Sequence, residues 1–351
     1  MAYSTIVKPS DYFNTKLYTG TGSSNALTGV GFQPDWTWVK ARSVGYDQNL
    51  FDAIRGTEKR LKANTTSAED TVSGSVTAFG TDGFTVGADA GVNANNQTFA
   101  SWNWKANGAG SANTAGSINS TVSANTTSGF SIVKYTGNGS SGATVGHGLT
   151  TTAPKIVLIK TTSGADAWTM LNTNIDLNKY LSLNSNSAEI SDPMFNNTAP
   201  TTTVFTLDGD GQVNGNGVSL IAYCFSEVTG YSKFGSYIGN GTSGDGAFIY
   251  TGFKPAFVIY KNASATYHWG LFDNKRSPTN VNQHLLYPNL TNTENTSDGR
   301  KIDMLSNGFK VRATADINDI NGSGNTIIYM AFAENPLVAN SGTDGVPATA
   351  K

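Results

Sequence analysis

The chain has 351 residues, of which 23 are Lys or Arg and 25 are Asp or Glu, so charged residues make up 14%, against roughly 25% in an average soluble domain. Its 39 glycines, its wealth of Asn, Thr and Ser, and its 17 Phe, 14 Tyr and 6 Trp describe a chain that turns often and still fills cores. This composition excludes a helical bundle and a doubly wound α/β enzyme, and a net charge of −2 argues against a nucleic-acid binder that must neutralise phosphates.

Three similar units follow one another. Each opens on Tyr-x-Gly-x-Gly, at Tyr18, Tyr135 and Tyr237. A proline follows, and six positions later a lysine: Pro34 to Lys40, Pro154 to Lys160 and Pro255 to Lys261. Next comes Leu-x-x-Asn-x-x-x-x-Glu, ending at Glu69, Glu189 and Glu294. Each unit closes on an apolar run ending in an aromatic, at Trp104, Phe225 and Phe332. Four elements in constant order predict three tandem copies of one domain, of about 100–120 residues each, the size of a single β-sandwich. The expected fold is all-β, as three antiparallel β-sandwich domains of jelly-roll or lectin-like type. Their expected bounds are 1–116 with an N-terminal arm, 117–230, and 231–351 with a C-terminal tail. The Gly-, Ala- and Ser-rich stretch 105–116 marks the first boundary, whereas the second, near Gly230, leaves almost no linker.

After each proline the second and fourth residues are bulky and apolar: Trp36 and Trp38, Ile156 and Leu158, Phe257 and Ile259. On a strand they share one face and belong in a core. The repeated lysine shares their parity. A buried ammonium needs a carboxylate or several carbonyls, so the repeated glutamate is one partner to test; a strand ending at the lysine, with its head reaching water, is the other reading. The basic run Arg55, Lys59, Arg60 and Lys62 reads as a solvated turn or short helix.

Candidate chemistry is sparse. The loops from Gly137 and Gly239 match G-x-G-x-x-G, but no helical pattern follows, so they read as hairpins and no cofactor is expected. Asp208, Asp210 and Asn214 resemble part of a calcium loop, although Thr206 and Gly217 stand where two usual ligands belong. His268 and Trp269 could line a sugar site. No nucleophile elbow and no zinc-binding His pair occur, and acids present in all three copies serve the shared fold better than catalysis. The single cysteine, Cys224, leaves no intramolecular disulfide and fits synthesis in a reducing cytoplasm. No stretch nears the ~18 apolar residues of a membrane span, so no membrane insertion is expected.

The opening MAYSTIVKPSDYFNTKLYTGTGSSNALTGVGFQPDW, the ASWNWKANG strand and the segments SKFGSYIGNG and TGFKPAFVIYK resemble a family of tandem-repeat proteins encoded by tailed phages of marine bacteria. The resemblance implies a virion structural or appendage protein and supplies no site residues. The expectation is therefore a non-enzymatic component of a tail fibre or similar host-facing appendage, located in the virion. Its partners would be other virion proteins and further copies of itself, as a trimer by analogy with phage appendages, with a host surface glycan as ligand. A capsid decoration protein and a glycan-degrading tailspike are the alternatives. Residues 1–13 and 339–351, outside the clear repeats, could dock on a partner.

Overall fold

The aromatic and β-branched runs form strands, and the Gly- and Asn-rich segments form the turns between them. The computed structural model describes residues 4–337 apart from 298, 315 and 316; the segment 339–351 and the first three residues of the N-terminal arm lie outside the described residues. The protein is all-β, mostly antiparallel; among the described residues its helices are a 3-10 turn at Pro9–Asp11 and α-helices of four or five residues at Ala90–Asn93, Gly211–Asn214 and Ile317–Asn321.

Each unit builds an inner and an outer sheet. In the inner sheet a closing strand lies between an opening and a central strand. The opening strands are Phe13–Thr19, Phe130–Thr136 and Ser232–Ile238; the closing strands are Thr98–Trp104, Ser219–Phe225 and Thr326–Pro336. The central strands are Trp36–Ala41, Ile156–Thr161 and Phe253–Asn262. Pro34 and Pro154 stand two positions before the first residue of their central strands, while Pro255 sits within one at a register shift, where a residue without an N–H is tolerated. The outer sheets pair Asn25–Thr28 with Gly83–Val86, Ala143–Gly146 with Val204–Leu207, and Phe248–Tyr250 with Gly308–Val311.

The inner sheets are apolar on both faces, which explains why the strands Trp36–Ala41 and Ile156–Thr161 are buried throughout. In the first unit Val39, Ala41 and Phe99 meet Leu27 and Phe84 of the outer sheet, forming a core private to that unit. The second and third units have private cores of their own. The bulky pairs after each proline point the other way. Trp36, Trp38, Ile156, Leu158, Phe257 and Ile259 meet in one core shared by all three units. The strand parity placed these pairs in a core, and the structure puts them in the one that all three units share. Alternation reports only that a face is buried, and here both faces are.

Contacts between units run in a closed ring. The backbone N–H of Glu69 donates to the carbonyl of Thr162 in the second unit (3.0 Å), that of Glu189 to Ala263 in the third (2.8 Å), and that of Glu294 to Arg42 in the first (2.9 Å). Trp168 Nε1 donates to Lys62 O and Trp269 Nε1 to Ser182 O; Gln48, at the matching place in the first unit, donates to Tyr287 O. The side chains of Asn64, Asn184 and Asn289 accept from the backbone of Gln48, Trp168 and Trp269 and so fix these three inter-unit donors. The basic run is no solvated turn: Lys59–Lys62 is a strand, and Arg55 is buried against Asp52 at the junction with Tyr223 of the second unit.

Candidate functional site on the third unit

Most of the repeated residues hold the scaffold. The Tyr18, Tyr135 and Tyr237 hydroxyls each donate to a backbone carbonyl at 2.6 Å, of Val92, Val213 and Ile320. The next residue in each case is an asparagine, Asn93, Asn214 or Asn321. Its side chain accepts from the Tyr-x-Gly-x-Gly loop backbone and donates back to it. Of these three only Asn214 stood out in the sequence, and as a calcium ligand; the signal for all three is a Val-Asn or Ile-Asn pair just before each closing strand. The loops lead from the inner to the outer sheet and are not hairpins. Their first glycine is needed because a Cβ at Gly20, Gly137 or Gly239 would lie 2.2–2.4 Å from a carbonyl oxygen across the loop.

The calcium-like segment is explained by the same device. Asp210 caps the short helix Gly211–Asn214 by accepting from Gln212 N (2.7 Å), the amide of Asn214 is engaged by Asn138 and Ser140, and the Asp208 N–H donates to Met194 O. Among the described residues no group of three or more His, Cys, Asp or Glu side chains is placed to hold a metal ion. Trp269 is fully buried and cannot offer its ring to a sugar, and His268 Nδ1 lies 2.9 Å from the Asn289 amide.

The lysines do not pair with the glutamates. Lys40, Lys160 and Lys261 are fully buried, and their ammonium groups lie on backbone carbonyls: Tyr46 and Thr291, then Thr66, Thr161 and Gly164, then Asn262 and Ala265. Glu69, Glu189 and Glu294 face Arg55, Lys179 and the Arg42/Arg276 pair instead. Burial lowers all three lysines to about 8 against the weaker pull of Asp47, Asp166 and Asp319. In the unfolded chain they titrate near ~10.4. Between these values the unfolded chain holds protons that the folded one has released, so stability rises with pH in that window. Thermal melts should therefore shift upward from pH 7.5 to 9.5, by roughly 1–3 kcal/mol per lysine at most, and Lys160→Met should remove about a third of that rise. Above ~10 the buried tyrosines, whose ionisation burial pushes well up, reverse the trend. A flat profile in the wild type refutes the assignment.

What distinguishes one unit from the others lies on the outer sheets. Strand register matches Ala26, Thr144 and Phe248, and likewise Thr28, Gly146 and Tyr250. Only the third unit carries aromatics there, with Phe248 46% and Tyr250 53% exposed; Ile238, on the opening strand beside them in sequence, is 59% exposed. In the second unit the corresponding region is covered. Residues 105–129 supply the strands Ser111–Asn113 and Ser120–Asn125, the latter pairing with the edge of Phe130–Thr136. Ile118 bridges to Val145 in parallel, and Gly146 lies beneath Asn113. The third unit is entered through residues 226–231 alone, too few to form such a cover. Ser232–Ile238 and Phe248–Tyr250 are therefore both terminal strands of their sheets. A cleft of about 530 Å³ borders this strip, lined by Thr152, Glu227, Lys233, Tyr250 and Leu337 among others. Glu227 there accepts from Lys233 Nζ and from the Phe234 N–H. The strip offers open backbone groups and apolar rings, the means of association.

The family described as Domain of unknown function (DUF7483) matches residues 8–336. No curated protein and no solved structure matches the chain.

Proposed function

The chain belongs to the DUF7483 family, and we propose that it is a non-enzymatic structural subunit of a virion appendage, assembled with further copies of itself. In this reading each unit is a two-sheet sandwich, and the three are fused into one rigid block. The observation that carries the proposal is the uncovered strip Ile238, Phe248 and Tyr250, present only where the covering insertion of the second unit is missing. Open strand edges beside exposed aromatics are a liability in a lone protein and an interface in an assembled one. The first unit offers a counterpart. Phe13–Thr19 and Asn25–Thr28 are also terminal strands, and the outward residues Ala26 and Thr28 are small. Bulky rings on one copy against small residues on the next give a head-to-tail contact, which closes into a ring or extends into a fibre. Mass photometry and light scattering over rising concentration test this. Oligomers are expected for the wild type and monomers for Phe248→Ser/Tyr250→Ser; a wild type monomeric at about 100 µM, a concentration that captures contacts of about −5.5 kcal/mol, removes the reading.

A further inference from the structure

The third unit differs from its siblings at a second place. Trp36, Ile156 and Phe257 pair with Asp52, Asn172 and Asp273 respectively, and Leu61, Leu181 and Leu286 pair with the neighbouring strand in each unit. From the first landmark to the second is nine residues in the first and second units and thirteen in the third. The four extra residues fall in a loop containing Ser277, Pro278, Thr279 and Asn280, which forms one wall of a cleft of about 450 Å³. That volume suits a small ligand. The loop is held in place: Asn280 Nδ2 donates to Met304 O (3.1 Å) and Asn280 Oδ1 accepts from Met304 N (2.9 Å).

The chemistry of the cleft is specific. Asn274 Oδ1 is buried and has no hydrogen-bond partner, an arrangement that costs free energy until a donor arrives. Lys275 beside it is exposed and in no ion pair among those of the described residues. Lys254 and Glu334 complete the lining as a pair at 2.7 Å. Together these groups provide an acceptor for a hydroxyl, a free cation for an anion, and a charged pair that both accepts and donates. The lining shows no large aromatic ring, so a flat apolar ligand has nothing to stack on.

We infer that this cleft binds an acidic sugar, a hexuronate unit whose carboxylate meets Lys275 and whose hydroxyls donate to Asn274 and Glu334. This goes beyond the assembly reading and does not rest on it, since the aromatic strip takes no part. Isothermal titration of the full chain with sodium galacturonate and sodium glucuronate, with galactose and glucose as neutral controls, tests it. Binding of at least one uronate is expected, about tenfold tighter than its neutral counterpart. Asn274→Ala and Lys275→Gln should each weaken it about tenfold. Neither removes a side-chain contact that holds the fold, and the melting temperature verifies this. Phe248→Ser/Tyr250→Ser should leave uronate binding unchanged while dispersing any oligomer, so the two proposals fail separately. The inference is overturned if no uronate binds up to about 50 mM, the limit of weak sugar binding. It is also overturned if uronate and neutral sugar bind alike, or if both cleft variants bind as the wild type does.

Discussion

Replacing Glu294 with glutamine should cost about 3–5 kcal/mol of stability, the penalty for stripping a partner from a buried ion pair. Its carboxylate accepts from Arg42 Nε and an Arg42 terminal nitrogen, both at 2.9 Å, and from Arg276 at 3.0 Å, with His284 Nδ1 at 2.8 Å. Arg276 has no exposed side-chain surface, so water cannot replace what the variant removes. Arg42 belongs to the first unit, and the substitution therefore opens the junction that closes the ring. Glu189, at the matching place in the second unit, faces Lys179, and both are about a quarter exposed. Glu189→Gln should cost at most about 1 kcal/mol, which makes it the control. The wild type should show the same junction in its acid response. Burial pushes the Glu294 carboxyl up, but hydrogen bonds from Arg42 and the charge of Arg276 outweigh this and hold it at about 2. An unfolded glutamate titrates near ~4.3. This contribution is therefore complete above ~4.3 and is lost as pH falls toward 2, by roughly 3 kcal/mol. Urea midpoints at pH 7, 4 and 3 check both statements. A Glu294→Gln midpoint that falls with acid as steeply as the wild type's would sink the assignment.

Trp36→Ala should cost a further about 3–5 kcal/mol, the usual range for deleting a large buried aromatic, and it should do so without splitting the unfolding transition. The Trp36 ring lies 4.5 Å from both Trp104 and Tyr223, with Phe130 and Phe225 within 6 Å. Trp104 in turn meets Phe257 and Phe332 of the third unit. One side chain thus supports all three units. Three independent domains would unfold in separate steps; units sharing a core should unfold together. Tryptophan fluorescence and far-UV circular dichroism in urea should give coincident curves for wild type and variant. Resolved transitions in either would contradict the shared core.

The local devices were legible because they depend on neighbours in sequence. The Tyr-x-Gly-x-Gly loops, the prolines at or near the entry to the central strands and the apolar alternation recur at constant spacing, and the structure places them at equivalent positions. For the lysines, burial was one of two readings the sequence left open, and their partners were not legible. Their ammonium groups are met by carbonyls such as Thr291 and Thr66, and a backbone carbonyl leaves no trace in residue identity. The Asp208–Asn214 segment was ambiguous for a related reason. Oxygen-rich side chains at turn spacing serve helix capping and metal binding equally well; in the structure Asp210 caps the short helix and the amide of Asn214 is engaged by Asn138 and Ser140.

Composition and repetition by themselves determined that this is an all-β chain of three copies, poor in charge and rich in turns, because those properties follow from conformational preference and pattern. Only the tertiary structure decided that the copies close into a ring around one core. It also decided that Glu294 joins the third unit to the first, and that, among the described residues, the third unit presents the exposed rings of Phe248 and Tyr250 and a cleft walled by its longer loop. Those facts depend on which buried face meets which and on what a short connection leaves uncovered. Both are matters of geometry between residues far apart in the chain.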